Sequence, residues 1–279
     1  RLTPLQGEGP PLGWVGKVHA LYQCTRRAAG DYYLFLDADA ELRHPDALKQ
    51  LMARHRGSPT AVSSGFPRLR GAALLLVSLV PHALLRSLPW PLVTRTQSSA
   101  LSALNGQCWI IDSGVYHAHE PHAEVKEEVL EDVAIGRYLK RNGHPPTLLD
   151  VQDLVAVYMY DSYRAAWRGF RKNAYLLLGG TPIRFLLMYS GFVLTWLVAP
   201  FLSAWFIVSL YGLKFITDDA SGMPRYVSLL APVSYLFGLA LQLDSALHHW
   251  TDRVTWKGRS VPSSAASSSQ HSPAASKDR

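Results

Sequence analysis

The sequence predicts an α/β domain followed by a hairpin of two transmembrane helices. Three observations predict it. Segments typical of strands and helices alternate over residues 1–175, and a buried strand among them ends in the acidic turn Asp37-Ala38-Asp39. Two long apolar segments follow within residues 176–250. Residues 251–279 begin with a basic motif and end in a Ser/Ala-rich tail, which we expect to be cytosolic and, from residue 261 onward, disordered.

Composition favours a membrane-associated protein. Of the 279 residues, 48% are hydrophobic and only 18% are charged, whereas soluble domains are usually about 25% charged. The net charge is +7. Lys and Arg flank the apolar segments, so we expect the partner to be a bilayer and not a nucleic acid. The two cysteines have no spacing typical of zinc or of a disulfide framework, and we expect reduced thiols.

Apolar spacing and helix-ending residues predict the elements of the α/β domain. In the first helix Val18, Leu21 and Tyr22 share one side, and Gly57 and Gly143 follow the ends of two later helices. We expect helices at 14–29, 45–56, 126–142 and 162–173, and strands at 32–36, 60–66, 104–113 and 147–160. The apolar stretch 71–93 is interrupted by Pro81, and either an interfacial helix pair or a buried core helix fits it.

The two apolar segments near the C-terminus predict a membrane anchor. No Asp, Glu, Lys or Arg lies between Arg184 and Lys214, and none lies from Tyr226 to Leu243. We expect transmembrane helices at about 183–213 and 226–247. Basic residues precede the first and follow the second, which places both flanks in the cytosol and the short connecting loop outside. The chain is then a multi-pass protein of the cell membrane with a cytosolic α/β domain.

Two pairs of acidic residues are candidates for chemistry. Asp37 and Asp39 follow a strand that is expected to be covered on both faces, where open α/β sheets bind ligands. Carboxylate oxygens suit a hard divalent cation, and such a cation holds a nucleotide diphosphate. Glu131-Asp132 lies between apolar flanks, as a partly buried general base would. The alternatives are a solvated turn or helix cap for the first pair and a solvated helix face for the second.

The chain resembles membrane-anchored glycosyltransferases of family 2 that act on carotenoid or hopanoid-like lipids. The matching motifs run in family order along the sequence: Gly13-Trp14-Val15-Gly16-Lys17, Asp37-Ala38-Asp39, Asn105-Gly106-Gln107, His122, Val129-Leu130-Glu131-Asp132-Val133-Ala134, Trp167-Arg168-Gly169-Phe170 with Lys172-Asn173, and Trp256-Lys257-Gly258-Arg259. The resemblance implies a GT-A fold, which is a Rossmann-like α/β sandwich.

The resemblance also implies a mechanism. Asp37 and Asp39 would bind Mg²⁺ or Mn²⁺ and the diphosphate of a nucleotide-sugar donor such as a UDP-hexose. Asp132, supported by Glu131, would act as the base in a single displacement that inverts the anomeric centre. The remaining implied site residues are Lys17, Asn105, Gly106 and Gln107 for the donor and its sugar, and His122, Trp167, Arg168 and Lys172 for the acceptor or lipid headgroups. A solvated helix lysine fits Lys17 equally, and positive-inside anchoring fits Arg168 and Lys172 nearly as well.

The sequence departs from the family pattern in two places. Only 36 residues precede Asp37, so we expect the N-terminal nucleotide-binding part to be missing. The Gln-x-x-Arg-Trp signature of processive synthases is absent, and the nearest segment, Arg164-Ala-Ala-Trp167-Arg168, has another order. We therefore expect transfer of one hexose to a membrane lipid. A processive polysaccharide synthase and a non-catalytic membrane protein are the alternatives.

Overall fold

A computed structural model describes residues 3–102 and 104–251, together with the backbone of residues 255–256 and 259–260. The last two pairs form a small antiparallel ladder, Thr255–Trp256 with Arg259–Ser260. The tail 261–279, for which the sequence predicts disorder, lies outside the described residues, as do residues 257 and 258 of the basic motif.

Seven strands form two mixed sheets. The strands are β1 (Tyr32–Leu36), β2 (Ala40–Leu42), β3 (Val62–Phe66), β4 (Arg68–Arg70), β5 (Cys108–Asp112), β6 (Thr147–Asp150) and β7 (Val155–Tyr158). The larger sheet has the order β1-β5-β3-β6, and the smaller has the order β2-β7-β4. Only the β3–β6 and β4–β7 pairs are parallel. The predicted α/β class is confirmed, with mixed sheets.

Helices surround these sheets and fill the C-terminal part. They are α1 (Gly16–Thr25), α2 (Ala47–Arg56), α3 (Leu74–Val77), α4 (Leu79–Ser87), α5 (Trp90–Arg95), α6 (Ser113–His119), α7 (Pro121–Glu124), α8 (Glu131–Arg141), α9 (Tyr163–Leu177), α10 (Pro182–Val193), α11 (Ala199–Leu202), α12 (Ala204–Ala220), α13 (Arg225–Leu229) and α14 (Ala231–Trp250). A π-helical turn, Leu194–Val198, joins α10 to α11, and Ser99–Leu101 forms a 3₁₀ turn.

Strand β1 is covered on both faces, as the sequence predicts. Tyr33 and Phe35 pack into one core cluster, where the Phe35 ring stacks on Trp109 with centroids 4.1 Å apart. Leu34 and its neighbours on the opposite face pack against a second cluster that contains Leu51. Because both faces are occupied, the strand is fixed in the sheet and its C-terminal end presents Asp37 at a defined place.

Three predicted elements differ from the observed ones in a way that affects the site or the sheets. The segment 104–113 enters the sheet only at Cys108, because residues 105–107 form a turn. The helix predicted at 126–142 begins at Glu131, which places two carboxylates in its first turn, where the helix dipole favours negative charge. The segment 147–160 divides into β6 and β7, which belong to different sheets.

The stretch 71–93 contains α3, α4 and the start of α5. One face of α3 and α4 is buried, with Leu75, Leu76, Val77, Pro81 and His82 inside the protein. These two helices pack against α12 and α14. The structure therefore favours the core-helix interpretation for α3 and α4.

The first predicted span, 183–213, is not one helix. In the described part of the chain a single helix, Pro182–Leu202, is long and apolar enough to cross a membrane. The π-helical turn Leu194–Val198 lies just before Pro200. Proline has no backbone N–H, so it cannot donate a hydrogen bond to a carbonyl of the preceding turn. The helix ends where Ser203 takes an extended conformation, and the Ser203 hydroxyl accepts from Trp205 N and caps α12.

The loop that connects the two predicted spans has contacts with the α/β domain. Arg68 Nη2 donates to Gly222 O at 2.9 Å and Gln152 Nε2 donates to Ala220 O at 2.8 Å, so this loop lies against the α/β domain. Lys214 and Asp218, which lie just before this loop in the sequence, are not exposed to solvent. Both lie in α12, fully or almost fully buried, as an ion pair. The second predicted span, 226–247, corresponds to α13 and α14, and α14 packs along α9.

Candidate active site

The acidic turn lies beside the turn that precedes β5. Strands β1 and β5 pair antiparallel with Leu36 opposite Cys108, so the end of one strand meets the beginning of the other. The ladder continues one step further, since Asp37 N donates to Gln107 O at 3.3 Å. Antiparallel pairing thus brings the predicted metal-binding turn and the predicted sugar-binding turn together.

The first residues of α8 reach the same place from a third segment. Gly106 N donates to Asp132 Oδ2 at 3.1 Å, and Val133 N donates to Asp132 Oδ1 at 2.8 Å. A Cβ on Gly106 would lie 3.2 Å from Asp132 Oδ2 and 3.3 Å from Asp132 Cβ. Glycine at position 106 therefore allows the Asp132 carboxylate to approach the turn, and two backbone amides fix its orientation.

Lys17 on α1 links the two acidic pairs. Its Nζ lies 2.9 Å from Asp37 Oδ1 and 2.8 Å from Glu131 Oε1. The Lys17 side chain is 45% exposed and that of Asp37 is 30% exposed, whereas Glu131 is 12% exposed. The cluster thus has an open side toward solvent and a closed side toward the core, as a binding cleft requires.

The carboxylates of this cluster do not behave as isolated groups. Burial and the like charge of Glu131 raise the pKa of Asp132, against the opposing effect of the Gly106 and Val133 amides. Burial and the charge of Asp37 raise the pKa of Asp39. Burial alone would lower the pKa of Lys17, but Glu131 and Asp37 outweigh it and raise that pKa. Lys17 therefore stays charged beside the acidic groups.

Helix α9 contributes a second lysine. Burial lowers the pKa of Lys172, and this side chain also lies within the electrostatic field of Glu131, Lys17, Asp132 and Asp37. Arg168 precedes it by one helical turn on α9 and is exposed. The structure thus brings Lys172 toward the carboxylates and leaves Arg168 at the surface.

Asn105 supports the turn from within. Its backbone N donates to Ser64 Oγ at 2.9 Å and its Nδ2 donates to Gly65 O at 3.0 Å. Its Oδ1 accepts from Gln107 N at 3.1 Å. These contacts commit the Asn105 amide to shaping the turn that holds Gly106 and Gln107.

The prediction that His122 lines an acceptor pocket is wrong. His122 is fully buried, its Nδ1 pairs with the Tyr116 hydroxyl at 2.8 Å, and its ring lies 5.1 Å from that of Phe35. Burial, followed by the charge of Lys17, lowers its pKa to about 4, so the imidazole is neutral at physiological pH. His122 is a core residue beneath the site.

Trp167 also has a different position from the one expected for an acceptor-binding residue. Its Nε1 donates to Asp244 Oδ2 at 2.8 Å, and Arg171 Nη1 lies 3.6 Å from the same oxygen. Both contacts join α9 to α14. Because the indole is directed at α14, Trp167 fixes the helix that carries Lys172.

Sequence reasoning missed Tyr160, which connects the acidic turn to α9. Burial and the charge of Asp39 raise its pKa, and a Cβ on Gly169 would lie 2.2 Å from its hydroxyl oxygen. The glycine in the Trp167-Arg168-Gly169-Phe170 motif is the signal that reveals it, since glycine in a helix interior often marks a close packing contact.

A divalent cation has only part of a ligand set here. In the described part of the chain no group of three or more His, Cys, Asp or Glu side chains is placed to hold a metal ion. Asp37 and Asp39 offer two carboxylates on the open side of the cluster. Such a pair suits a hard cation that takes its other ligands from phosphate oxygens and water.

Comparison with known proteins agrees with a transferase. The chain is similar to the 4,4'-diaponeurosporenoate glycosyltransferase of Staphylococcus haemolyticus (strain JCSC1435), with 23% identity over 282 aligned residues that cover 88% of this chain and 71% of that protein. No protein-family model matches the chain. This similarity supports a relationship to glycosyltransferases.

Proposed function

We propose that this chain transfers a hexose from a nucleotide-sugar donor, such as a UDP-hexose, to a membrane lipid such as a carotenoid or a hopanoid-like lipid. The observation that carries the proposal is the meeting of four segments. Asp132 contacts Gly106, the adjoining Gln107 contacts Asp37, and Lys17 joins Asp37 to Glu131. A donor diphosphate and an acceptor hydroxyl need acidic and basic groups close together.

Asp132 is the proposed general base. The hydroxyl oxygen of the acceptor attacks the anomeric carbon, its proton passes to Asp132, and the bond from that carbon to the diphosphate oxygen breaks. Attack opposite the leaving group inverts the anomeric centre. Burial raises the pKa of Asp132, which makes its carboxylate a stronger base than a solvated one, and the amides of Gly106 and Val133 fix its direction.

Asp37 and Asp39 are the proposed ligands of Mg²⁺ or Mn²⁺. The exposed position of Asp39 and the partial exposure of Asp37 suit a cation that is shared with the donor. When bound, this cation neutralises charge on the departing diphosphate.

Lys17 and Lys172 are proposed to bind the donor phosphates. Both ammonium groups lie in the field of the carboxylate cluster, and phosphate oxygens attract charged donors strongly. Gly106 and Gln107 are proposed to border the sugar, and Asn105 holds their turn. Arg168, at the exposed surface of α9, is proposed to contact lipid headgroups.

We propose that the protein is attached to the cell membrane with its α/β domain in the cytosol. The support is the apolar helix Pro182–Leu202. In its most apolar 18-residue segment, only 11% is buried within the protein. A lipid acceptor concentrates in the bilayer, so attachment raises its local concentration at the site.

The experiment is a transfer assay on membranes that contain the full chain. Labelled UDP-hexoses are added with Mn²⁺ or Mg²⁺, and lipids are extracted and analysed by mass spectrometry. We expect one labelled hexose per lipid molecule, and no label when Asp39 is replaced by Ala. The exposed Asp31→Ala variant is the matched control and should keep the activity. A labelled polymer would instead favour a processive synthase, and absence of product with every donor would contradict catalysis.

A further inference from the structure

The chain reverses direction at Ser203. Trp196 and Leu210 are equally distant from Ser203 in sequence, and both contact Tyr235 of α14. The Trp196 and Tyr235 rings stack with centroids 4.7 Å apart, and the Tyr235 hydroxyl donates to Leu210 O at 3.3 Å. An unbroken helix would hold these two residues about 21 Å apart along its axis. Pro182–Leu202 and α12 are therefore the two limbs of a hairpin, and residues 199–205 form its tip.

The hairpin begins and ends on the α/β side of the molecule. At the start of the first limb, Phe185 is fully buried and its ring lies 5.4 Å from that of Tyr175 on α9. At the end of the second limb, Ala220 accepts from Gln152 and the following Gly222 accepts from Arg68. The α/β domain thus holds both ends of the hairpin.

A buried polar network fixes the second limb near its end. Lys214 Nζ pairs with the carboxylate of Asp218 and donates to Ser78 Oγ at 3.0 Å. Ser228 Oγ donates to Asp218 Oδ2 at 2.8 Å. These side chains belong to the α3–α4 junction, α12 and α13, so one face of the C-terminal half of α12 is packed against protein, whereas most of its N-terminal half is exposed.

The tip of the hairpin is apolar and uncovered. Phe201 is 87% exposed, Leu202 is 72% exposed and Trp205 is 78% exposed. The first limb is about 31 Å long at 1.5 Å per residue, close to the thickness of a bilayer core. No Asp, Glu, Lys or Arg lies between Arg184 and Lys214. A surface without charge around an entire helical tip suits lipid, since a protein interface normally has a polar rim.

We infer that the hairpin enters the bilayer from the side of the α/β domain, turns at Ser203 and returns to the same side. The segment 219–225 then lies beside the catalytic domain and not across the membrane from it. This inference rests on the membrane attachment proposed above, and it reverses the side that charge counting assigns to the segment.

Cysteine labelling tests on which side of the membrane the segment 219–225 lies. Cys24 is exposed on α1 and Cys108 is buried, so the native Cys24 reports the side of the α/β domain. In a Cys24→Ser background, Asp219→Cys and Arg225→Cys are each treated with a membrane-impermeant maleimide in right-side-out and inverted vesicles, and both residues are exposed. We expect both to be labelled in the vesicle orientation that labels Cys24. Labelling in the opposite orientation would overturn the inference.

A flotation assay tests whether the protein binds membranes at all, independently of the topology of its hairpin. The full chain is mixed with phosphatidylcholine–phosphatidylglycerol vesicles and centrifuged through a density gradient. We expect the wild type to float, and we expect Phe201→Asp with Trp205→Asp to lower the partition coefficient by more than about tenfold. Leu12→Asp, at an equally exposed leucine outside the hairpin, is the control and should float as the wild type does. A wild type that stays in the soluble fraction would contradict attachment itself, whereas a floating protein with reversed labelling contradicts only the topology.

Discussion

Two clusters of lysine and carboxylate groups differ in their contact with water. At the edge of the sheet, Lys17 bridges Asp37 and Glu131 with side chains that are 45%, 30% and 12% exposed. In the C-terminal helices, Lys214 pairs with Asp218, and these side chains are 0% and 2% exposed. The charges are of the same kind, but the surroundings give them different roles.

The two clusters differ in the free energy that is lost when a charged group exchanges its partner. An ion pair in contact with water exchanges partners for little free energy, because solvent compensates each charge. A buried pair cannot do so, since a single remaining charge inside the protein costs several kcal/mol. The Lys17 cluster is therefore suited to receiving a charged donor, and the Lys214 cluster is suited to holding helices in place.

The largest expected effect on stability comes from Lys214→Met. The substitution leaves Asp218 buried without its partner, and we expect the free energy of unfolding to fall by about 3–5 kcal/mol. Denaturant unfolding in detergent measures it. The double variant Lys214→Met with Asp218→Leu removes both charges and should recover part of the loss. A single variant as stable as the wild type would contradict the structural role.

Gly106→Ala should lower kcat/KM about 10- to 100-fold without a comparable loss of stability. A Cβ at position 106 would press on the Asp132 carboxylate at 3.2 Å, and displacement of a catalytic group by a fraction of an ångström to an ångström has effects of this size. Gly114→Ala is the control, because open space surrounds that position. Equal activities of the two variants would show that Gly106 does not position Asp132.

The pH dependence should reveal the shifted carboxyl group. Burial and Glu131 raise the pKa of Asp132, so we expect the acid limb of kcat/KM to lie above the usual pKa of about 3.9. Glu131→Gln should move that limb to lower pH. The same shift also determines how Asp132 makes the stability of the fold depend on pH. The proton on Asp132 stabilises the fold below the unfolded-state pKa, and this contribution is lost as pH rises through the folded-state pKa. An acid limb that does not move in Glu131→Gln would contradict the coupling.

The smallest expected effect on stability comes from Lys17→Met. Because Lys17 and Asp37 are partly exposed to water, we expect the free energy of unfolding to fall by less than it does in Lys214→Met, with the loss arising mainly at the nearly buried Glu131. Binding should change more clearly. Loss of the ammonium beside Asp37 should strengthen Mn²⁺ binding without nucleotide and weaken binding of the UDP-hexose, both measured by calorimetry. Lys49→Met, at an exposed lysine on α2, should alter neither.

Local patterns were sufficient to predict two of the segments that form the sheet-edge cluster. The apolar run before Asp37 predicts a strand with two covered faces, and the structure has that strand at Tyr32–Leu36. The apolar flanks of Glu131-Asp132 predict a partly buried pair, and it begins α8. These features depend on neighbours in sequence, which is why spacing alone reveals them.

Long-range contacts explain what the sequence could not predict. The burial of the Lys214–Asp218 pair depends on Ser78 at the α3–α4 junction and Ser228 in α13. The core position of His122 depends on Tyr116 and Phe35. Likewise the direction of Trp167 depends on Asp244, far along the chain. None of these partners follows from the spacing within one segment.

The most direct test of the proposed catalytic centre is the transfer rate of Asp132→Asn at saturating UDP-hexose, measured together with donor binding. The substitution keeps the size of the side chain and removes its ability to accept a proton as a base. We expect kcat to fall about 10²- to 10⁴-fold while donor affinity and the unfolding transition stay close to those of the wild type. Transfer at the wild-type rate would contradict the assignment of Asp132 as the base.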